Sequence, residues 1–179
     1  MLNLQVSSRT EVGGKLVISI YASSNEAVAL GGFSLGFNSQ VIYSNTNTLI
    51  TPTSIESSGG WDLFDGNSAL GKVSGISAFG IQFNSSTGLV PLFKINYQAI
   101  PSNAIAFLFN FKSIGSDSFF DANGNTLIYQ DKYFYQNIGS IGNSLTQVEA
   151  PFISIAPEDK SVTENQSFSF NFSKQTFFS

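Results

Sequence analysis

The sequence predicts an all-β protein in which two sheets pack face to face as a jelly-roll or Greek-key β-sandwich. Segments in which apolar and polar residues alternate recur about every ten residues, with turn-forming residues between them. No segment carries a sustained apolar repeat of about 3.6 residues, which an amphipathic helix would need. The chain contains 18 Phe and one Trp, so phenylalanine must fill most of the core between the sheets.

The stretch from Leu30 to Asn38 is the clearest strand. It breaks at the turn pair Asn38-Ser39, and a short apolar run follows at 41–43. Phe33, Leu35 and Phe37 alternate with small or polar residues, so one face is aromatic and the other is nearly bare. An aromatic face of this kind has to be covered by a second sheet. The strand therefore predicts the sandwich as well as its own conformation.

The same alternation predicts the other strands in chain order. They lie at residues 2–6, 15–21, 69–83, 89–98 and 105–111, and a hairpin-like pair lies at 119–120 and 127–129. Gly75 is expected to mark a bulge or a bend between sheets. Residues 44–68 are rich in Ser, Thr, Asn and Gly, and they are expected to form a loop with one short strand near Leu49.

The pattern divides the chain into three parts. Residues 1–135 are predicted to form the sandwich, and residues 136–150 read as a linker because apolar alternation fades there. In residues 151–179, Phe168, Phe170 and Phe172 alternate with polar residues, which indicates one strand. Since this segment is too short to enclose a core, we interpret it as the truncated start of a second β-domain.

Composition excludes several classes of function. The net charge is -4 and the basic residues are widely spaced, so neither nucleic acid nor an anionic membrane surface is an expected partner. The chain has no His and no Cys, which rules out Ser-His-Asp and Cys-His catalysis and a His-ligated zinc. Carboxylate pairs remain at Asp62 with Asp65 and at Asp117 with Asp121, but both lie in predicted turns. We expect no catalytic residues and no enzyme activity.

Location is predicted from the same composition. Only 11% of residues are charged, and a surface polar through Ser, Asn and Thr suits a secreted or cell-surface protein. No apolar run is long enough for a membrane span, and no signal peptide is visible at the start of the chain. We expect the chain to be part of a larger multidomain surface protein.

An aromatic group is the first candidate ligand site. Trp61 lies in the loop sequence GGWDLF, where an exposed ring could stack on a sugar, and Tyr43 and Tyr97 could join it. The alternative, which we favour, is that Trp61 plugs one end of the sandwich. The two interpretations differ in whether the indole is exposed.

A turn rich in oxygen ligands is the second candidate site. Asp121, Asn123 and Asn125 alternate along the chain, with Asp117 upstream, and calcium prefers oxygen ligands of this type. The spacing departs from an EF-hand loop. The favoured alternative is an Asn-Gly turn without a metal, so no cofactor is expected beyond this candidate calcium.

Residues 12–131 resemble a cohesin domain, the β-sandwich module of cellulosomal scaffolds. Three segments carry the resemblance in cohesin order, and they are VGGKLVISIYASSNEAVALGGFSLGFNSQVIYSN, GLVPLFKINYQA and SFFDANGNTL. The resemblance implies a jelly-roll that docks a dockerin-like protein partner, and a fold shared with carbohydrate-binding modules.

The tail is similar to the first strands of cadherin-like or immunoglobulin-like repeats. Asp159, Val162, Thr163, Glu164 and Asn165 follow the pattern that often opens such repeats. Taken together, the sequence predicts a non-catalytic extracellular scaffold or adhesion module that docks a protein through a sheet face. The alternative is a carbohydrate-binding module that recognises a polysaccharide through loop aromatics.

Overall fold

Two antiparallel sheets make up the computed structural model, which describes residues 2–83, 88–114, 118–137 and 145–148. Within these ranges every regular element is a strand, and the two sheets enclose a single apolar core. The predicted all-β, two-sheet sandwich is therefore confirmed. Across the same ranges, no helix has the length and apolar character needed to cross a membrane.

The small sheet has four strands in the order β1-β2-β8-β5. Its strands are β1 (Leu2–Thr10), β2 (Lys15–Ser24), β5 (Ser54–Ser57) and β8 (Leu89–Ala99). β2 and β8 lie in the middle and bury Leu16, Ile18 and Ile20 against Phe93 and Ile95 in the core. These are the residues whose alternation predicted the two strands.

The large sheet has the order β12-β11-β9-β3-β7-β6, with β4 and β10 paired to the two ends of β3. Its strands are β3 (Ala29–Ile42), β4 (Asn47–Leu49), β6 (Leu63–Asn67), β7 (Lys72–Gln82), β9 (Ala106–Ser113), β10 (Phe119–Asp121), β11 (Lys132–Asn137) and β12 (Thr146–Val148).

β3 is the central strand of the large sheet. It continues through Asn38 and Ser39, where the sequence pattern wrongly predicted a turn, because both residues pair with β9. Its first half pairs with β7 and β10, and its second half pairs with β9 and β4. Phe33, Leu35 and Phe37 all point into the core, as their alternation predicted. A strand that is paired on both edges and covered on one face has little freedom, and this explains why its pattern is the clearest in the chain.

Phenylalanine rings fill the space between the sheets. Phe109 and Phe111 of β9 meet edge to face with centroids 4.6 Å apart, and Phe37 of β3 stacks on Phe109 at 5.4 Å. Phe93 of the small sheet reaches across to Phe33 at 5.6 Å and to Phe111 at 6.1 Å. Offset and edge-to-face pairs add to the energy of burial, so this cluster ties the two sheets together.

The chain crosses between the sheets several times. It passes from the small sheet to the large sheet between β2 and β3, between β5 and β6 and between β8 and β9. It returns to the small sheet between β4 and β5 and between β7 and β8. Neighbours such as β2 with β8 and β3 with β9 are therefore distant in sequence, as a jelly-roll or Greek-key order requires. A buried hydrogen bond from Ser8 Oγ to Gln136 Oε1, 2.9 Å long, joins β1 of one sheet to β11 of the other.

The expectation for residues 44–68 is wrong in part. A short strand is present near Leu49, but two further strands, β5 and β6, lie in the segment that was expected to be loop. Each is an edge strand with one neighbour, β8 for β5 and β7 for β6. Edge strands of four or five residues need few apolar side chains, and polar composition therefore hid them.

The bulge of β7 lies later than Gly75. Gly32 pairs with Ile76 and Leu30 pairs with Ile81, so four residues of β7, 77–80, oppose the single residue Gly31. Gly75 itself has a different role. A Cβ atom on Gly75 would lie 2.6 Å from Phe33 and 2.9 Å from Trp61, so only glycine leaves room for both rings.

Two further segments differ in detail from the sequence pattern. Residues 127–129 form no strand, although Phe120 makes a bridge to Thr126 and the Leu127 amide donates to the Phe119 carbonyl. β12 and the end of β11 lie within residues 136–150, and β12 pairs with β11 through Tyr133 and Tyr135. The predicted second β-domain at 151–179 lies outside the described residues.

Candidate functional site

The outer face of the large sheet carries a row of apolar residues across four neighbouring strands. Leu63 of β6 pairs with Ile76 of β7, Ile76 with Gly32 of β3, and Gly32 with Phe120 of β10. Leu63 is 67% exposed and Ile76 is 45% exposed, and the Phe120 ring covers the bare backbone of Gly32. At about 4.8 Å between strands, this apolar row spans about 14 Å.

The bulge of β7 carries an exposed aromatic residue next to the apolar row. Phe79 is 92% exposed, although its sequence parity groups it with the buried Val73. The extra residues of the bulge break that parity and turn the Phe79 ring out to solvent. Phe79 thus adds to the exposed apolar side chains Leu63 and Ile76, and it is grouped apolar surface that marks an interaction site.

Hydrogen bonds hold the bulge in place. The Asp62 carboxylate accepts from the Ala78 amide at 2.8 Å, and the Asp62 amide donates to the Ile76 carbonyl at 2.9 Å. Gly80 has a φ of +71°, and a Cβ there would lie 2.7 Å from the Cβ of Ala122. The segment is therefore bonded on one side and packed on the other, and the Phe79 ring is presented from an ordered support.

Polar residues continue the same face beyond the apolar row. Asp65, Ser74 and Ser34 pair across β6, β7 and β3 and form the next row, which we call the serine row. The register shows that the apolar row and the serine row share the outer face. The pair Phe64 and Gly75 lies between them, and the Phe64 side chain packs against the core on the opposite face. A flat surface with apolar and polar rows side by side is typical of a protein-docking face.

Trp61 does not present an open ring to solvent. Its indole Nε1 donates to the Leu92 carbonyl at 3.0 Å, and its ring meets Phe33 edge to face with centroids 4.9 Å apart. The residue is half-buried against the core. These contacts agree with the interpretation that Trp61 closes one end of the sandwich.

Tyr43 and Tyr97 lie apart from Trp61. Tyr43 follows the far end of β3, ten residues beyond the Phe33 that contacts Trp61, and ten residues of strand span about 33 Å. Tyr97 is only 1% exposed, and its hydroxyl donates to Ser39 Oγ at 3.0 Å inside the core. Burial raises the pKa of Tyr97 well above its ordinary value. The three aromatic residues do not form one platform.

The Asp121 carboxylate is used by its own turn. Oδ1 accepts from the amides of Asn123 and Asn125, both at 2.8 Å, and Oδ2 accepts from the Asn125 side-chain amide at 2.9 Å. The hydrogen bond from the Asn125 side chain, followed by those from the backbone, lowers the pKa of Asp121. Donors surround this carboxylate where a calcium site would need further oxygen ligands, so the residues present fit a turn better than a metal.

The remaining candidate ligands give no cluster. Asp117 lies outside the described residues. Among the residues that are described, no group of three or more Asp, Glu, His or Cys side chains could hold a metal ion. Asp62 and Asp65 form the other carboxylate pair that the sequence suggested. Asp62 accepts a hydrogen bond from the Ala78 amide in the bulge, and Asp65 lies in the serine row opposite Ser74.

Sequence reasoning missed the residues of the apolar row and Phe79. Leu63 lies in the segment expected to be loop, and the sequence pattern places Phe79 on the same parity as Val73 without saying which side faces the core. One local signal is Gly80, since an isolated glycine in a strand pattern often marks a bulge. The apolar row also pairs residues that are far apart in the sequence, since Gly32 and Phe120 are separated by 88 positions. A pattern within one segment cannot predict such a pairing.

Comparison with known proteins gives one match to describe. No protein-family model and no curated protein matches the chain. Among solved structures, the seventh ScaB type I cohesin from Pseudobacteroides cellulosolvens is similar at 13% sequence identity, over 86% of this chain and 97% of the cohesin chain, with a TM-score of 0.35. At this TM-score the function has to be inferred from the chain's own surface.

Proposed function

We propose that this protein is a non-catalytic docking module, which binds a folded protein partner through the outer face of the large sheet. The observation that carries the proposal is Phe79, which is 92% exposed at the tip of a hydrogen-bonded bulge beside the apolar row. Exposed aromatic residues on ordered backbone are the usual anchors of protein interfaces. The cohesin resemblance of the sequence makes a dockerin-like module the first partner to test, in a secreted or cell-surface scaffold.

The shape of the face favours a protein over a small molecule. Small ligands are bound in concave sites of about 300–1,000 Å³. A groove on this face, over Gly36, is open and holds about 240 Å³. The apolar row and the serine row lie instead on a flat sheet, which suits a partner that covers a wide area.

A binding assay with matched variants tests the docking proposal. The full chain is screened against a panel of purified dockerin modules and against a glycan array. We expect a dockerin-type partner to bind, and Phe79→Ser to weaken its Kd by at least about tenfold, as expected of an interface anchor. Val12→Ser is the matched control, because Val12 is also apolar and 98% exposed but lies in the hairpin of the small sheet.

The outcomes separate the candidate functions. Equal loss of binding in the Phe79 and Val12 variants would contradict a specific role for the outer face. Silence in both screens would leave the chain as a structural spacer and would sink the docking proposal.

Carbohydrate recognition is the second candidate, and a pair of tyrosines favours it. Tyr133 and Tyr135 of β11 both point away from the core, because Phe134 between them is buried. They are neighbours on one face, about 6.7 Å apart along the strand, so two sugar rings could stack on them in succession. Tyr135 also donates to Asn137 Oδ1 at 2.9 Å, which orients its ring.

The tyrosine pair makes the second candidate testable. Under this alternative, a polysaccharide would bind on the glycan array, and Tyr133→Ala with Tyr135→Ala would abolish that binding while Phe79→Ser would leave it unchanged. Polysaccharide binding that survives loss of both tyrosines would exclude the pair as its platform.

A further inference from the structure

The outer face of the large sheet has a third row, and its charge differs from the rest of the protein. Asn67, Lys72, Gly36 and Lys112 are cross-strand neighbours on β6, β7, β3 and β9. We call these residues the lysine row. Because Gly36 has no side chain, Lys72 and Lys112 face each other across a gap of two strand spacings, about 10 Å.

The gap over Gly36 is an open groove of about 240 Å³. The two lysines line its sides, and the exposed aliphatic residues Leu70 and Ile114 extend its walls. Lysine side chains reach far enough for both ammonium groups to contact one carboxylate placed over Gly36. The groove can therefore bind a ligand that has an anionic group for the two lysines and an adjacent apolar group for Leu70 and Ile114.

Neither lysine has an acidic partner among the described residues. The ion pair present there joins Arg9 to Glu11. Asp65, on the serine row, pairs with Ser74 across the strands and makes no ion pair with Lys72. Asp131, at the edge of the sheet, accepts from the Ser113 amide at 2.6 Å. In a chain of net charge -4, the two cations of this groove have no acidic partner within the part of the chain that the structure describes.

We infer that the docking partner is acidic, and that a carboxylate side chain of the partner binds between Lys72 and Lys112. This inference rests on the proposed docking function and adds the chemistry of the partner. The apolar row and the lysine row are separated by four residues of β3, about 13 Å. The partner segment thus places an apolar side chain and a carboxylate about 13 Å apart.

Aliphatic walls favour an acidic polypeptide over an anionic polysaccharide. Sugar sites usually present a flat exposed aromatic ring for stacking. The aromatic residue in this groove, Phe37, is buried beneath it, and the exposed walls are Leu70 and Ile114. Aliphatic contacts beside paired cations suit a peptide in which apolar and acidic residues alternate.

The inference is tested with a designed peptide and the full-length chain. The probe is an acetylated peptide, Leu-Leu-Ser-Ser-Ser-Glu-Glu, whose second Leu and first Glu are four residues apart, or about 13 Å when extended. Its control replaces both Glu by Gln. Binding is followed by amide chemical shifts of the ¹⁵N-labelled protein, with attention to Gly36, Lys72 and Lys112.

We expect the Glu peptide to shift these amides and the Gln peptide to bind about 5- to 20-fold more weakly, as expected for two exposed charge contacts. The double variant Lys72→Gln, Lys112→Gln should lose the same factor. Lys15→Gln with Lys94→Gln, which removes two cations of the small sheet, should bind like the wild type. Binding should weaken between about 50 and 300 mM salt.

Several results would overturn the inference. If both peptides bind equally well, or if the lysine variants bind like the wild type, the inference of an acidic partner is wrong. Binding of pentagalacturonate in place of the Glu peptide would indicate an anionic polysaccharide. Protection of Lys72 and Lys112 from acetylation in the free chain would mean that the groove is filled by the chain itself.

The same titration separates this inference from the docking proposal. If Phe79→Ser weakens peptide binding and the lysine variants do not, the face docks a partner but not through its charge. If the lysine variants weaken binding and Phe79→Ser does not, the groove binds acidic groups without the apolar anchor.

Discussion

Gly75 shows how one residue can determine the environment of another at the residue scale. Phe33 and Trp61 occupy the space where its side chain would lie. The indole keeps its hydrogen bond to the Leu92 carbonyl only because the ring can lie flat beside that glycine. Trp61, the single Trp of the chain, is therefore a reporter of packing at this end of the sandwich.

Gly75→Ala should destabilise the protein by about 1–3 kcal/mol, because the new methyl group overpacks the two rings. The emission of Trp61 should shift to longer wavelength as the indole moves toward water. Denaturant unfolding followed by fluorescence measures both effects. Gly59→Ala is a poor control because of its positive φ, so Ser58→Ala nearby serves instead. An unchanged free energy of unfolding would contradict the packing described here.

Two phenylalanines should respond in opposite ways to truncation. Phe109 is fully buried and touches three other rings, so Phe109→Ala should cost about 3–5 kcal/mol of stability. Phe79→Ser should change stability by less than about 0.5 kcal/mol, because its ring is already in water. Urea titration of the two variants checks the difference. A large loss in the Phe79 variant would mean that the bulge belongs to the core.

At the scale of the element, the bulge of β7 converts a core-parity residue into a surface one. Four residues oppose one residue of β3, and the strand then returns to register at Ile81. The carboxylate of Asp62 replaces the sheet partner that the Ala78 amide has lost. The bulge is thus stabilised by its neighbours on both sides, as expected of a feature that presents a side chain.

Asp62→Ala should loosen the bulge without unfolding the sheet. We expect hydrogen exchange at the Ala78 amide to become several-fold faster, since one hydrogen bond contributes about 1 kcal/mol. Amides of β9 should keep their protection. Asp65→Ala is the matched control, because Asp65 follows three residues later in β6 and the bond to the Ala78 amide comes from Asp62 instead. Equal acceleration in both variants would show that Asp62 does not hold the bulge.

At the scale of the whole molecule, buried tyrosines tie stability to alkaline pH. Burial raises the pKa of Tyr97, and burial together with the Asp131 charge raises the pKa of Tyr129. A raised pKa in the folded state means that the fold favours the protonated phenol. This contribution is complete below the ordinary tyrosine pKa of 10.0 and is lost as pH rises above it.

We therefore expect the free energy of unfolding to fall steadily above about pH 10. Ultraviolet titration at low denaturant should show that Tyr97 and Tyr129 ionise only as the protein unfolds. Tyr129→Phe should reduce the slope of stability against pH. Ionisation of Tyr97 and Tyr129 near pH 10 in the folded protein would contradict their raised pKa values.

The three rows of the outer face also belong to this scale. They combine residues of β3, β6, β7, β9 and β10, which the crossovers bring into one sheet. The apolar row lies at one end of the face and Lys72 and Lys112 lie at the other, so the two ends differ in character. A partner that matches both ends can dock in only one orientation, which is how mixed surfaces gain specificity.

The sequence by itself determined the fold class and most of the core. The alternation of Phe33, Leu35 and Phe37, and of Phe107, Phe109 and Phe111, is local, since a strand turns successive side chains to opposite faces wherever it lies. Aromatic stripes on strands about ten residues apart can be buried only between two sheets.

Only the tertiary structure decided the candidate site. Strand pairing set Leu63 beside Ile76 and Lys72 opposite Lys112, and these pairings depend on register between distant segments. The bulge at 77–80 reversed the direction of Phe79, because four residues there occupy the place of one. Side-chain parity is a property of one strand, whereas a docking face is a property of several strands in register. The core could therefore be predicted from the sequence, and the outer face could not.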